Sequence, residues 1–150
     1  MRDHYRALYE SFRWNVPAEF NIAEVCCRRW ANESSRIALH SEDDQGRSFS
    51  YTYAALQADA NRLSNVLRAL GVARGDRVAI VLPQRPETAI AHIAIYQLGA
   101  VAMPLSLLFG PDALEYRLQD SGAVAAIIDP IAIPAIESVR ASCPALASLI

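Results

Sequence analysis

Residues 71–123, GVARGDRVAIVLPQRPETAIAHIAIYQLGAVAMPLSLLFGPDALEYRLQDSGA, decide the fold. They hold two strand-then-helix units laid end to end. Each has an apolar run that stops at a proline, a helix that Pro86 or Pro111 can open, and a closing glycine. Val78, Val101 and Val124 start successive apolar runs 23 residues apart, and Gly99-Ala100 and Gly122-Ala123 precede the second and third at that same interval. Strands alternating with amphipathic helices at this step predict a parallel sheet rather than a solenoid. Open parallel sheets hold their ligands at the carboxyl ends of the strands. Here those ends are Leu82-Pro83-Gln84-Arg85 and Met103-Pro104-Leu105-Ser106.

Outward from that stretch, the pattern predicts a doubly wound α/β subdomain preceded by a helix and a β-hairpin. Residues 1–20 carry Tyr5, Tyr9, Phe12, Trp14 and Phe20 without a clean period and read as an N-terminal arm, a short helix and an extended segment lying on the domain. Residues 21–150 form the domain itself. Ile22, Val25, Cys26 and Trp30 fall at helical spacing behind Asn21, a plausible N-cap. Ile37 to His40 and Arg47 to Tyr51 flank the acidic turn Glu42-Asp43-Asp44-Gln45-Gly46, which predicts the hairpin. Thr52 can cap a long helix with Leu56, Ala60, Leu63, Leu67 and Leu70 on one stripe, and Gly71 suits the left-handed position that ends it. After Ala123 come a third strand, a helix with Pro134 in its first turn and Ile136 and Val139 facing inward, and the start of a fourth strand at Leu146 to Ile150. Ending inside an apolar run, the chain is expected to be the first part of a larger domain.

Composition narrows the chemistry. The 150 residues are 53% hydrophobic and 20% charged, a globular balance. A net charge of -2 gives no pull toward nucleic acid, and no apolar run reaches the ~18 residues of a membrane helix. The leading residues MRDHYRALYE lack an apolar signal core, so a cytoplasmic location is expected. All 14 basic residues are arginine, which excludes a Walker lysine, a Schiff base and a lysine general base within this chain. Cys26, Cys27 and Cys143 make no disulfide framework and read as small buried thiols. There is no G-x-G-x-x-G, no G-x-x-x-x-G-K-[ST], and no zinc spacing among His4, His40 and His92. His92 reads as a hydrogen-bonded, half-buried imidazole. Arg85 stands at a strand end beside the helix that Pro86 opens, either as a fixed cation for a phosphate or carboxylate or as half of a surface ion pair.

Gly71 with Gly75-Asp76-Arg77-Val78-Ala79, then Leu82-Pro83, Glu87, Gly99-Ala100-Val101 with Pro104, and Leu114-x-Tyr116-x-Leu118-x-Asp120-Ser121-Gly122-Ala123, resemble the early signature of the adenylate-forming enzymes, the AMP-binding acyl-CoA synthetases and their relatives. The run Tyr51-Thr52-Tyr53-Ala54-Ala55-Leu56 is similar to that family's entry into its first long helix, and the likeness covers roughly residues 20–150. Phe20-Asn21 and the Pro83-x-Arg85 spacing resemble the acetyl- and medium-chain acyl-CoA synthetases. Two positions depart from the pattern. Ala55 replaces a usual Glu, which removes a capping box at Thr52. Leu105-Ser106-Leu107-Leu108-Phe109 is more apolar than in many members and suits an apolar substrate wall.

The resemblance implies the incomplete N-terminal part of a larger adenylate-forming fold. The parent enzyme would use ATP, Mg2+ and coenzyme A on a carboxylic acid, with the remainder of the synthetase chain as this segment's partner. Arg85 and Leu108 would lie at the CoA or acyl entrance, with no catalytic residue and no metal ligand in these residues. The family's phosphate-binding loop and its lysines are missing, so the chain alone is expected to be inert, to bind none of these ligands tightly, and to self-associate through uncovered edges. Two other readings stay open on the residues alone. One is a self-contained flavodoxin-like module for a small ligand, the other a non-catalytic relative acting through interactions.

Overall fold

A computed structural model describes residues 4–150. The chain runs α1 (Tyr5–Ser11), α2 (Ile22–Cys26), β1 (Ile37–Glu42), β2 (Ser48–Thr52), α3 (Tyr53–Ala69), β3 (Arg77–Val81), α4 (Pro86–Gln97), β4 (Val101–Pro104), α5 (Pro111–Ser121), β5 (Ala125–Ile128), α6 (Ile133–Val139) and β6 (Ser148–Leu149). Strands β1 and β2 form the antiparallel hairpin, and β4-β3-β5-β6 form a parallel sheet in that order. Strand β3 is central and apolar on both faces, as a sheet covered on two sides requires. Val78, Ile80, Ala125 and Ile127 face one core with α2, α3 and α4; Ala79, Val81 and Ala126 face a second with α5 and α6. The subdomain is doubly wound.

The 23-residue repeat has a physical origin in the turn before β3. Gly75 N–H donates to Gly99 O at 3.0 Å, and Val101 N–H to Asp76 O at 2.7 Å. Asp76 Oδ2 accepts from Ala73 N–H at 2.8 Å, closing the turn itself. Arg77 reaches the far end of the second unit, where Nε donates to Ser121 O at 2.6 Å and Nη2 to Gly122 O at 2.9 Å. One short stretch therefore holds the exits of both following helices. Gly122 is the left-handed cap of α5 (φ 58°), and a Cβ there would stand 2.9 Å from Arg77 Nη2.

Local signals mostly form as read. Asn21 Oδ1 caps α2, Thr52 Oγ1 accepts from Ala55 N–H at 3.1 Å, Pro86 and Pro111 open α4 and α5, and Gly71 adopts φ 89°. Ile136 and Val139 are buried, as the pattern after Pro134 requires. Four expectations need correction. Helix α2 ends at Cys26 and passes into a 3-10 turn, so the inward residues are Ala23 and Cys27, while Ile22 and Cys26 are exposed. On α3, Leu56, Ala60 and Leu67 are buried but Leu70 is exposed, because the helix ends at Ala69 and Leu70 is its C-cap, outside the stripe. The fourth strand is only Ser148–Leu149. The arm aromatics Tyr5, Tyr9, Phe12, Trp14 and Phe20 are all exposed, so the arm does not lie on this domain.

Candidate functional site

The carboxyl ends of β3, β4 and β5 meet at one edge of the sheet. Beyond β3, Thr88 Oγ1 donates to Pro83 O at 2.6 Å and fixes the loop, leaving Arg85 extended before α4. Beyond β5, Asp129 N–H donates to Val81 O at 2.8 Å, and its Oδ1 accepts from Ile131 N–H at 3.0 Å. These two anchors bring Arg85 Nη2 to 3.0 Å from Asp129 Oδ2, with Glu87 Oε2 3.4 Å from Nε. Of the two states open to Arg85 in the sequence, the structure shows the ion pair.

Beside Arg85 lies an open cavity of about 560 Å³. Ile80, Leu82, Pro104 and Leu105 supply apolar wall, and Leu39, His40 and Glu42 of β1 form the opposite side. A volume in this range holds a small ligand. His92 of α4 also faces it; its Nδ1 lies 3.1 Å from the Tyr96 hydroxyl, and burial lowers its pKa from the ordinary 6.5. His40 Nδ1 is within 2.9 Å of Ser50 Oγ. No sequence motif announced the hairpin wall, because it depends on where the fold sets β1 beside the strand ends.

Leu108 is elsewhere. Leu105 N–H joins β4 to β3 through Ile80 O at 2.8 Å, and the chain then turns outward, with Ser106 Oγ accepting from Leu108 N–H at 3.1 Å. Arg117 stacks 4.2 Å over the Phe109 ring and pins that loop. Leu108 itself is 93% exposed and does not line the cavity, so the structure does not bring Arg85 and Leu108 into one pocket. Among the described residues no cluster of three His, Cys, Asp or Glu side chains fits a metal ion. Among the same residues no helix is long and apolar enough to cross a membrane. Of the thiols, Cys27 and Cys143 are buried, and burial pushes the Cys27 pKa up to about 11, outside the reactive range.

Residues 27–149 match the AMP-binding enzyme family. The chain is 40% identical over 113 residues to acetyl-coenzyme A synthetase of Streptomyces coelicolor, covering 74% of this chain and 17% of that protein. It is 30% identical to mouse mitochondrial acyl-coenzyme A synthetase ACSM3, over 97% of this chain and 26% of that one. Among solved structures, Brucella canis acyl-CoA synthetase superposes with a TM-score of 0.85 at 28% identity, over 99% of this chain and 29% of that chain. Acetoacetyl-CoA synthetase from Streptomyces lividans gives 0.80 at 26% identity, over 91% and 23%. The chain belongs to the AMP-binding enzyme family and corresponds to part of its N-terminal region. It spans between 17% and 29% of the length of these relatives. None of these likenesses supports the self-contained flavodoxin-like module.

Proposed function

We propose that this chain is the N-terminal part of an AMP-forming acyl-CoA synthetase. In that reaction a carboxylate attacks Mg·ATP to give acyl-adenylate and pyrophosphate, and the coenzyme A thiol then takes the acyl group and releases AMP. The observation that supports this reading is the family match over residues 27–149 together with a superposition that spans nearly the whole chain on an acyl-CoA synthetase. These residues contribute scaffold and wall rather than chemistry. Phosphoryl transfer is carried by electrostatic stabilisation, and this chain offers neither a lysine nor a phosphate-binding loop for it. The cavity wall near Arg85 and the exposed Leu108 loop are assigned to the acyl or CoA entrance, as two separate surfaces. The cytoplasmic location expected from the sequence goes with this reading.

The rest of the synthetase is the partner. A second groove of about 590 Å³, lined by Leu70, Ile128, Ile133, Leu149 and Ile150, runs beside β6, whose outer side carries no strand among the described residues. An open edge beside apolar surface favours association. The 150-residue chain is therefore expected to self-associate at micromolar concentration, and a chain extended through the whole N-terminal domain to stay monomeric, as read by light-scattering chromatography. Pyrophosphate release on acetate through decanoate tests the function. Turnover is expected from the full-length chain and none from the 150 residues. Turnover by the short chain overturns its inertness; none from the full-length chain overturns the synthetase reading.

A further inference from the structure

The strand order β4-β3-β5-β6 places a topological switch between β3 and β5. The chain leaves β3 toward α4 on one face of the sheet and leaves β5 toward α6 on the other. In open α/β sheets the crevice outside the carboxyl ends at such a point is the ordinary ligand position. Here that crevice is bridged from within. Arg85, from the loop after β3, meets Asp129, at the end of β5, across a gap of 44 residues in sequence. Asp129 is the fixed partner, its side chain only 14% exposed, while Arg85 is 41% exposed on a loop between two prolines.

The charges decide what such an arrangement does. Arg85 faces two carboxylates, Asp129 and Glu87, so the three side chains sum to one negative charge. An incoming phosphate or carboxylate meets no net attraction while both acids are ionised. The contacts engage Nε and Nη2, and Arg85, but neither acid, lines the cavity together with His92 and Leu82. The carboxylate oxygen of Asp129 takes up a hydrogen-bonding position on Nη2 that a ligand oxyanion would otherwise be free to use. An ion pair with a half-exposed arginine is worth little, so its loss costs the fold little.

We propose that Asp129 masks Arg85. The pair is an internal substitute for an oxyanion ligand at the switch point, and Arg85 becomes a phosphate- or carboxylate-binding cation when the charge of Asp129 is withdrawn. This rests on the assignment of Arg85 to the entrance and adds the contact that controls it. Pure structural bracing by the same pair predicts no gain of binding on its removal.

The test is calorimetric titration of inorganic pyrophosphate, and in parallel acetate, into the 150-residue chain at low ionic strength, with wild type and variants first matched in oligomeric state by light-scattering chromatography. Asp129→Asn keeps an oxygen for the Ile131 N–H and is expected to bind pyrophosphate about tenfold more tightly than wild type. Glu87→Gln, on an exposed helical turn, is expected to gain in the same direction by less. Adding Arg85→Gln to Asp129→Asn is expected to remove the gain. A gain for pyrophosphate alone assigns the site to a phosphate group, and an equal gain for acetate assigns it to a carboxylate. Wild-type affinity in both single variants, or a gain that survives loss of Arg85, overturns the proposal. No acyl transfer is involved, so the outcome is independent of whether the full-length chain is a synthetase.

Discussion

Helices α4 and α5 are written in the same grammar and end up in different surroundings. Both begin with proline at the first helical position, and both exit through a glycine with positive φ, Gly99 at 70° and Gly122 at 58°. Yet α4 is wedged between the sheet and a second helix layer. Ala91, Ile93, Ala94 and Ile95 are buried, and polar side chains seam it to its neighbours. Ser64 Oγ donates to Ala94 O at 2.7 Å, Gln57 Nε2 to Gln97 Oε1 at 2.9 Å, and Asn21 Nδ2 to Tyr96 O at 2.9 Å. Gln97 also hydrogen-bonds Ser64 and donates to Ala60 O. Helix α5 buries only Leu114 and Leu118 and leaves Tyr116 66% exposed. A helix without an amphipathic stripe needs a second layer, and α3 with α2 supplies it for α4.

The largest expected effect breaks the helix that the tertiary structure covered. Ile95→Ala opens a cavity under α3 and is expected to cost about 2–5 kcal/mol, read as a fall in the urea midpoint at constant slope. Tyr116→Ala on α5 is expected to stay within about 0.5 kcal/mol. Equal losses at the two sites would mean that another protein surface covers α5 in solution.

The closing glycines sharpen the contrast next. Gly122→Ala must adopt a left-handed backbone and also push Arg77 from the Ser121 and Gly122 carbonyls. Gly71→Ala meets no atom within 4 Å and carries only the backbone strain, on the order of 1 kcal/mol. Both midpoints should fall, Gly122→Ala further. If Gly71→Ala costs as much, the Arg77 clamp is not what distinguishes the second unit.

The smallest effect is a pH dependence that follows α4's burial. The lowered pKa of His92 means that the unfolded chain takes a proton while the folded chain resists it. Its contribution to stability is thus full above about pH 6.5 and is lost as the pH falls below that value. His92→Gln should flatten the fall in thermal midpoint between pH 7.5 and 5.5. An unchanged slope in the variant would place the titration elsewhere.

What was legible in the sequence was local. Proline openings, the Thr52 cap, the left-handed Gly71 and the hairpin around Gly46 rest on backbone geometry and on periodicity within a dozen residues, which operate wherever the chain goes. The resemblance carried by residues 71–123 reached the family for the same reason, since its motif positions are those turns and exits. Trp30 shows where periodicity runs out, because the five-residue α2 ends before the spacing can carry that side chain to the face it predicts. Tertiary structure alone decided that β3 would be central, that β1 would wall the cavity, that Arg77 would clamp a helix end 44 residues away, and that Arg85 would meet Asp129 rather than Leu108. Those contacts join residues that share no local rule. They form because crossovers bring distant strand ends to one edge of a sheet, and no pattern along the chain encodes which ends will meet.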